Sequence, residues 1–159
     1  MKYDDAEYCF LNFETDRLPN EAGGTHMGMY LAWAASNGLL DWDFDEEVLA
    51  PLLARTITGP QLFFDRCDGK LMDDDLNDVG NAFTASYYEA NFVADYQRVF
   101  ADQMPNGGET TDDFCSVPDT WENYDRLAPV LDQRFAQWRK VQAQPPAPAP
   151  GPTPGPAAG

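Results

Sequence analysis

The run GGTHMGMYLAWAASNGLL, residues 23–40, constrains the fold more than any other stretch of the chain. Thr25 stands as a candidate N-cap after Gly23 and Gly24, and Asn37 with Gly38 tolerates the left-handed backbone that closes a helix. Between these ends Met27, Tyr30, Leu31 and Ala34 form one stripe and His26, Met29 and Trp33 another, so the predicted helix is apolar nearly all round. Such a helix has no face to give to water and must be enclosed by other elements. The chain is therefore expected to build around it.

The remaining pattern supplies what encloses it. DWDFDEEVLAPLLARTITG reads as a loop and a second helix, with acids in the first turn where the helix dipole favours them; Pro51 either kinks it or marks its start. Two apolar runs, Leu62 to Phe64 and Leu71 to Met72, flank the turn residues Asp68 and Gly69 and predict a small hairpin. From Asp73 onward Phe83, Tyr87, Tyr88, Phe92, Tyr96, Val99 and Phe100 recur at helical spacing. Glu89, Asp95, Arg98 and Asp102 fall on the opposite side, and Gly80 is a candidate break. MPNGGETTDDF reads as a loop; Asp119 and Glu122 suggest a capping box for a short helix through Leu127, and Pro129 opens another, lined by Leu131, Phe135 and Trp138. EYCFLNF, near the start, alternates weakly like a strand.

The expected class is mainly α (α+β), a small helical bundle with a minor β-hairpin, forming one acidic globular domain over residues 1–142. Residues 143–159 are expected to be a disordered tail, because from Gln144 on the chain has seven prolines and no charge. Leu, Ile, Val and Phe number only 31 of 159 residues, close to the range of disordered chains. Seven Tyr and four Trp, set at helical spacing, decide for a folded domain.

Charge narrows the function. There are 27 acids against 10 bases, a net of −17, and residues 1–125 hold 26 of the acids with only 6 of the bases. A field of this sign repels nucleic-acid phosphates and anionic membranes and attracts basic proteins. The expected partner is a basic protein, with no nucleic acid and no membrane. MKYDDAEY lacks the basic, apolar, small-residue order of a signal peptide, which points to the cytoplasm. Cys9, Cys67 and Cys115 form no C-x-x-C pair and read as reduced, core-filling thiols. The glycine pairs lack the lysine and spacing of a phosphate loop, and no cofactor is expected.

His26, the single histidine, is the candidate catalytic residue. In the first turn of a helix its proton is easily lost, and with a nearby carboxylate, in a pocket lined by Trp33, Tyr87 or Tyr88, it could act as an acid or base. No second histidine and no Ser or Cys at motif spacing supports a triad, so the preferred reading is an anchor at the start of a buried helix. The candidate binding residues are two acidic runs, Asp41, Asp43, Asp45, Glu46 and Glu47, and Asp73, Asp74, Asp75 and Asp78. Neither run fits a calcium loop: the glycine position falls on Glu46 or Asp78 and the closing glutamate on Leu52 or Thr84, so no metal site is assigned. The expected function is an acidic protein-binding module, of the kind of an immunity protein or inhibitor of a basic toxin or nuclease. A small His26 enzyme and a nucleic-acid mimic, with both acidic runs along one edge, are the alternatives.

One resemblance extends over most of the chain. Thr25-His26-Met27-Gly28-Met29, Thr58-Gly59, Asp68-Gly69-Lys70-Leu71, Asp75-Leu76-Asn77 with Gly80-Asn81 and Phe83, Tyr87-Tyr88, and Asp119-Thr120-Trp121 occur in that order. With these motifs the chain, from about Lys2 to Lys140, resembles a bacterial domain-of-unknown-function family. The resemblance implies a small, acidic, cytosolic bacterial protein and carries over no activity or catalytic residue. It leaves the motif residues open to structural roles as caps, turns and anchors.

Overall fold

Every residue of the apolar run from Thr25 to Ala34 is buried, and the helix that contains them, α2 (Thr25–Ser36), is the centre of the molecule. The computed structural model describes residues 1–144; the expected tail lies outside them apart from Ala143 and Gln144. Helix α2 ends as its sequence predicts, with Asn37 as C-cap and Gly38 at a φ of +67°. Its start differs. A 3-10 turn at Asn20–Gly24 runs straight into it, so Thr25 already has helical angles and cannot hold N-cap geometry; Gly24 takes that place.

Before α2 come β1 (Lys2–Asp5) and the short α1 (Glu7–Phe10), so EYCFLNF is helical over its first half. After it come α3 (Glu46–Leu53) and α4 (Gly59–Cys67). Asp45 caps α3 by accepting the Val48 N–H at 3.0 Å, and Pro51 lies inside that helix. A complete capping box between Thr58 and Gln61 starts α4, and Asp68 and Gly69, both at positive φ, end it. These strong helix signals place Leu62 to Phe64 in α4. The minor antiparallel element joins β2 (Lys70–Met72) to β1, with Lys2 opposite Met72 and Asp5 opposite Lys70. Asp68-Gly69 is thus a helix stop that leads into a strand.

Helix α5 (Asp78–Tyr87) is capped by Asn77, whose side chain accepts the Gly80 N–H at 2.8 Å. Gly80 continues α5 instead of breaking it. A Cβ there would lie 2.3 Å from the Leu39 carbonyl oxygen, so glycine lets α5 approach the turn after α2. The interruption falls at Tyr88–Phe92, a single π-type turn, before α6 (Val93–Val99). Two 3-10 turns follow, at Ala101–Gln103 and Pro105–Gly108, then the short α7 (Thr111–Phe114) within the segment expected to be loop.

The chain then enters one continuous helix, α8 (Trp121–Ala143). Thr120 caps it, accepting the Asn123 N–H at 3.1 Å, while Asp119 accepts a 2.6 Å hydrogen bond from the Thr58 hydroxyl. Pro129 does not divide α8, because it sits on the exposed side, as does Asp125 one turn earlier, where water can serve the freed carbonyl.

The buried apolar residues form one cluster of interlocked rings around α2. Trp33 packs against Phe83 and Phe135, each at 5.5 Å between centroids, and its indole N–H donates to Asp132 at 2.9 Å. Tyr30 meets Tyr88 edge-on at 5.0 Å and shares a 2.9 Å hydrogen bond with Thr84. The mainly α class with a minor two-stranded element holds. No helix among the described residues is long and apolar enough to cross a membrane.

Candidate functional site

The two acidic runs, far apart in sequence, meet in space. Leu40 and Leu76 form an antiparallel bridge, the Asp41 N–H donates to the Asp75 carbonyl at 2.9 Å, and the Asn77 side chain donates to the Gly38 carbonyl at 2.7 Å. A depression of about 410 Å³ results, lined by Asp43, Phe44, Val48, Arg66, Asp74 and Asp75. Three of the nine sequence-predicted binding residues do structural work. Asp45 is the α3 cap, Asp73 lies 2.8 Å from the Met1 nitrogen, and Asp75 accepts the Met72 N–H at 2.9 Å. Burial pushes the Asp75 pKa up.

Asp41, Asp43, Glu46, Glu47, Asp74 and Asp78 make no ion pair among the described residues. Trp42, between Asp41 and Asp43, is 83% exposed. The sequence reading missed it, although its one signal was there: an aromatic residue inside an acidic run, outside any buried stripe. Among the described residues no group of three or more His, Cys, Asp or Glu is placed to hold a metal ion.

His26 occupies the first turn of α2 and is 3% exposed. Its Nε2 lies 3.4 Å from Asp4 Oδ2 on β1, and the same oxygen accepts the Tyr88 hydroxyl at 2.8 Å. Burial opposes the charged form of Asp4, but the His26 ring beside it and the hydrogen bond from the Tyr88 hydroxyl outweigh it and hold the carboxyl below the usual range. The rings of Phe92, Tyr96 and Phe114 close around the imidazole, at 6.3, 5.8 and 5.1 Å. The expected carboxylate partner is therefore present, but the expected pocket is not. Trp33 and Tyr87 are buried and engaged elsewhere, and of the three aromatic candidates it is Tyr88 that reaches the histidine's partner. This geometry is that of an anchor tying β1 to α2 and to the π-type turn. His26→Gln is expected to lower the unfolding free energy by about 1–3 kcal/mol, the cost of an imperfectly paired buried polar group, as urea denaturation would measure.

Beside this anchor is a depression of about 290 Å³ lined by Asp4, Cys9 and His26 together with Gln97, Thr110 and Thr111. Cys9 and Asp4 were not singled out from sequence, because nothing local marks residues brought to His26 from a separate strand and helix. A larger apolar groove, about 580 Å³, runs past Leu18, Pro19, Ala22, Pro60, Phe64 and Val117.

The motif residues have structural positions. A Cβ on Gly28 would lie 2.3 Å from Pro60 Cα, and one on Gly59 would lie 2.2 Å from the Gly28 oxygen, so these glycines bring α2 and α4 into backbone contact. Asn81 donates to the Asp73 and Leu76 carbonyls at 2.9 and 3.0 Å and accepts the Tyr3 hydroxyl at 2.6 Å. Tyr87 and Tyr88 donate to Asp95 and Asp4, Thr120 caps α8, and Trp121 lies under the Arg55 guanidinium at 4.4 Å. No curated protein and no solved structure matches the chain. A family model does match, over residues 2–109, from β1 to the turn before α7, and on that match the chain belongs to the family described as a domain of unknown function (DUF7832).

Proposed function

We propose that the domain binds a basic protein through the face built by residues 41–47 and 73–78, masking a cationic surface in the manner of an immunity protein or inhibitor. The observation that carries this reading is the exposed Trp42, flanked by Asp41 and Asp43 just after the Leu40–Leu76 bridge at which the two acidic runs converge. Asp43 and Asp74, which make no ion pair among the described residues, line one depression and repel each other, and a cationic partner relieves that repulsion. Tryptophan is the side chain most enriched among residues that dominate binding energy, especially where a polar rim surrounds it. The long-range field speeds the encounter, and the aromatic contact slows dissociation.

The test is capture of partners by the tagged protein from its own cell lysate at low and high salt, repeated with Trp42→Ala and with Asp43→Lys/Asp74→Lys. The expected result is one stoichiometric basic protein that leaves as salt rises. Trp42→Ala should weaken its binding by about 30-fold, the equivalent of about 2 kcal/mol. The charge reversals should slow its association by about tenfold or more. A partner retained equally by all variants, or an empty column at both salts, overturns the proposal.

A further inference from the structure

We infer that the groove between α5 and the last turns of α8 is the docking site for the chain's own proline-rich segment, residues 145–156, laid back along α8 as a polyproline strand. This inference is independent of the acidic face. The groove encloses about 280 Å³, and its rings are Phe83 and Tyr87 from α5 and Trp138 from α8. Phe83 stacks on Tyr87 at 5.2 Å and meets Trp138 edge-on at 5.6 Å, while Trp138 stacks on Phe135 at 5.8 Å, so they form one continuous aromatic surface. That surface is not fully covered by the described residues. Trp138 is half-buried, and Val141, one turn further along α8, is 62% exposed.

The rim suits a neutral ligand rich in hydrogen-bond acceptors. Asn91, Gln137 and Gln142 bring side-chain amides to it and Arg134 a guanidinium, and no carboxylate lines it, although the chain holds 27 acids. A basic partner finds no countercharge there. Residues 145–156 contain seven prolines and no charge, and each proline offers a carbonyl acceptor and no N–H. In the polyproline conformation those carbonyls have no internal partners. Proline rings seated on aromatic side chains, with carbonyls taking donors from the rim, are the contacts by which aromatic-lined grooves hold such segments.

The chain reaches the groove without a linker. Helix α8 runs to Ala143, and Gln144 is extended with a ψ of 133°, the conformation that a following proline favours. Val141 and Gln142, which line the groove, stand just before that exit. From Val141 back to Arg134 the groove follows α8 for about 10 Å, whereas residues 145–156 in polyproline form extend about 37 Å, enough to reverse direction and cover it. Tethering holds the segment near the groove at about millimolar effective concentration, an advantage that no separate molecule shares. Its prolines, with φ already fixed, also lose little backbone freedom on docking.

The test compares the full-length protein, isotopically labelled for NMR, with its Pro146→Ser/Pro148→Ser/Pro150→Ser variant. The probes are the tryptophan indole N–H signals, that of Trp138 being identified by its loss in Trp138→Phe. In the serine variant the Trp138 indole should shift and exchange with water about tenfold faster, as expected if the docked state holds about nine molecules in ten of the parent. The indoles of Trp33 and Trp42 should not change. Val141→Asp, with the prolines intact, should move the Ala147 and Ala149 amides to the positions they have in a synthetic peptide of residues 144–159. Dilution should leave the parent spectrum unaltered. A Trp138 indole indifferent to the serine substitutions, or parent tail amides that already match the free peptide, overturns the inference. So does a Trp138 shift that is lost on dilution, which would place the segment of a second copy in the groove.

Discussion

Gly28→Ala is expected to destabilise the fold by about 3 kcal/mol or more, the upper end of the range for overpacking a close-packed interior. The added methyl would sit 2.3 Å from the Cα and 2.4 Å from the nitrogen of Pro60, distances at which one backbone must move. Neither can move easily. Helix α2 is enclosed on all sides, and α4 is held in register by its capping box, by Gly59 against the Gly28 carbonyl, and by Leu62 and Phe63 in the core. For a domain of this length each kcal/mol lowers the melting temperature by about 2–4 °C, so a fall of about 10 °C is expected in a thermal scan. A variant that melts within about 2 °C of the parent would show that the two helices part freely, and that the backbone contact does not organise the core.

The second large effect is expected at Asp95. Its side chain is 1% exposed on α6 and accepts hydrogen bonds from Arg134 Nε and Nη2 at 2.9 and 3.0 Å, from Arg98 at 2.8 Å and from the Tyr87 hydroxyl at 2.7 Å. Asp95→Ala removes the common acceptor and leaves the buried Tyr87 hydroxyl without it, at an expected cost of about 3 kcal/mol, near the lower bound for breaking a buried ion pair because both guanidinium groups keep contact with water. Urea denaturation at neutral pH measures it.

The pH dependence carries a sign. Burial works against the Asp95 carboxylate, but Arg134 and Tyr87 outweigh it and hold the pKa below its ordinary value. A carboxyl depressed in the folded state contributes stability that is complete above its unfolded pKa of about 3.9 and is lost as pH falls through the folded value. The gap between parent and Asp95→Ala should therefore be constant from neutral pH down to about 5 and narrow below about 4. A gap that widens in acid would mean that the carboxyl is protonated more readily in the folded protein.

Asp95 also shows why part of the fold was illegible. The sequence reading groups it with Glu89, Arg98 and Asp102 on the side given to water, although, three residues after Phe92, it stands at the edge of the apolar stripe. The π-type turn at Tyr88–Phe92 shifts the register just before it, and α8 packs there with Arg134, so the position is buried with its countercharge supplied from a distant helix. Likewise Pro129, a start signal by local rules, stands inside α8 because its side of the helix faces water.

Legible in the sequence were the features that depend on neighbours a few residues apart: the enclosed helix α2, the acidic first turn of α3, the stop at Asn37 and Gly38, the aromatic core and the sign of the surface field. These follow from backbone preference and from the period at which apolar side chains return to one face. What no local pattern announces is that β2 pairs with the N-terminal strand, that the two acidic runs converge beside the Leu40–Leu76 bridge, and that Asp4, Cys9 and His26 line one depression. Each of these joins segments whose separation in sequence leaves no local trace, because the contact is selected by how all the helices close around α2 and not by the propensity of either partner.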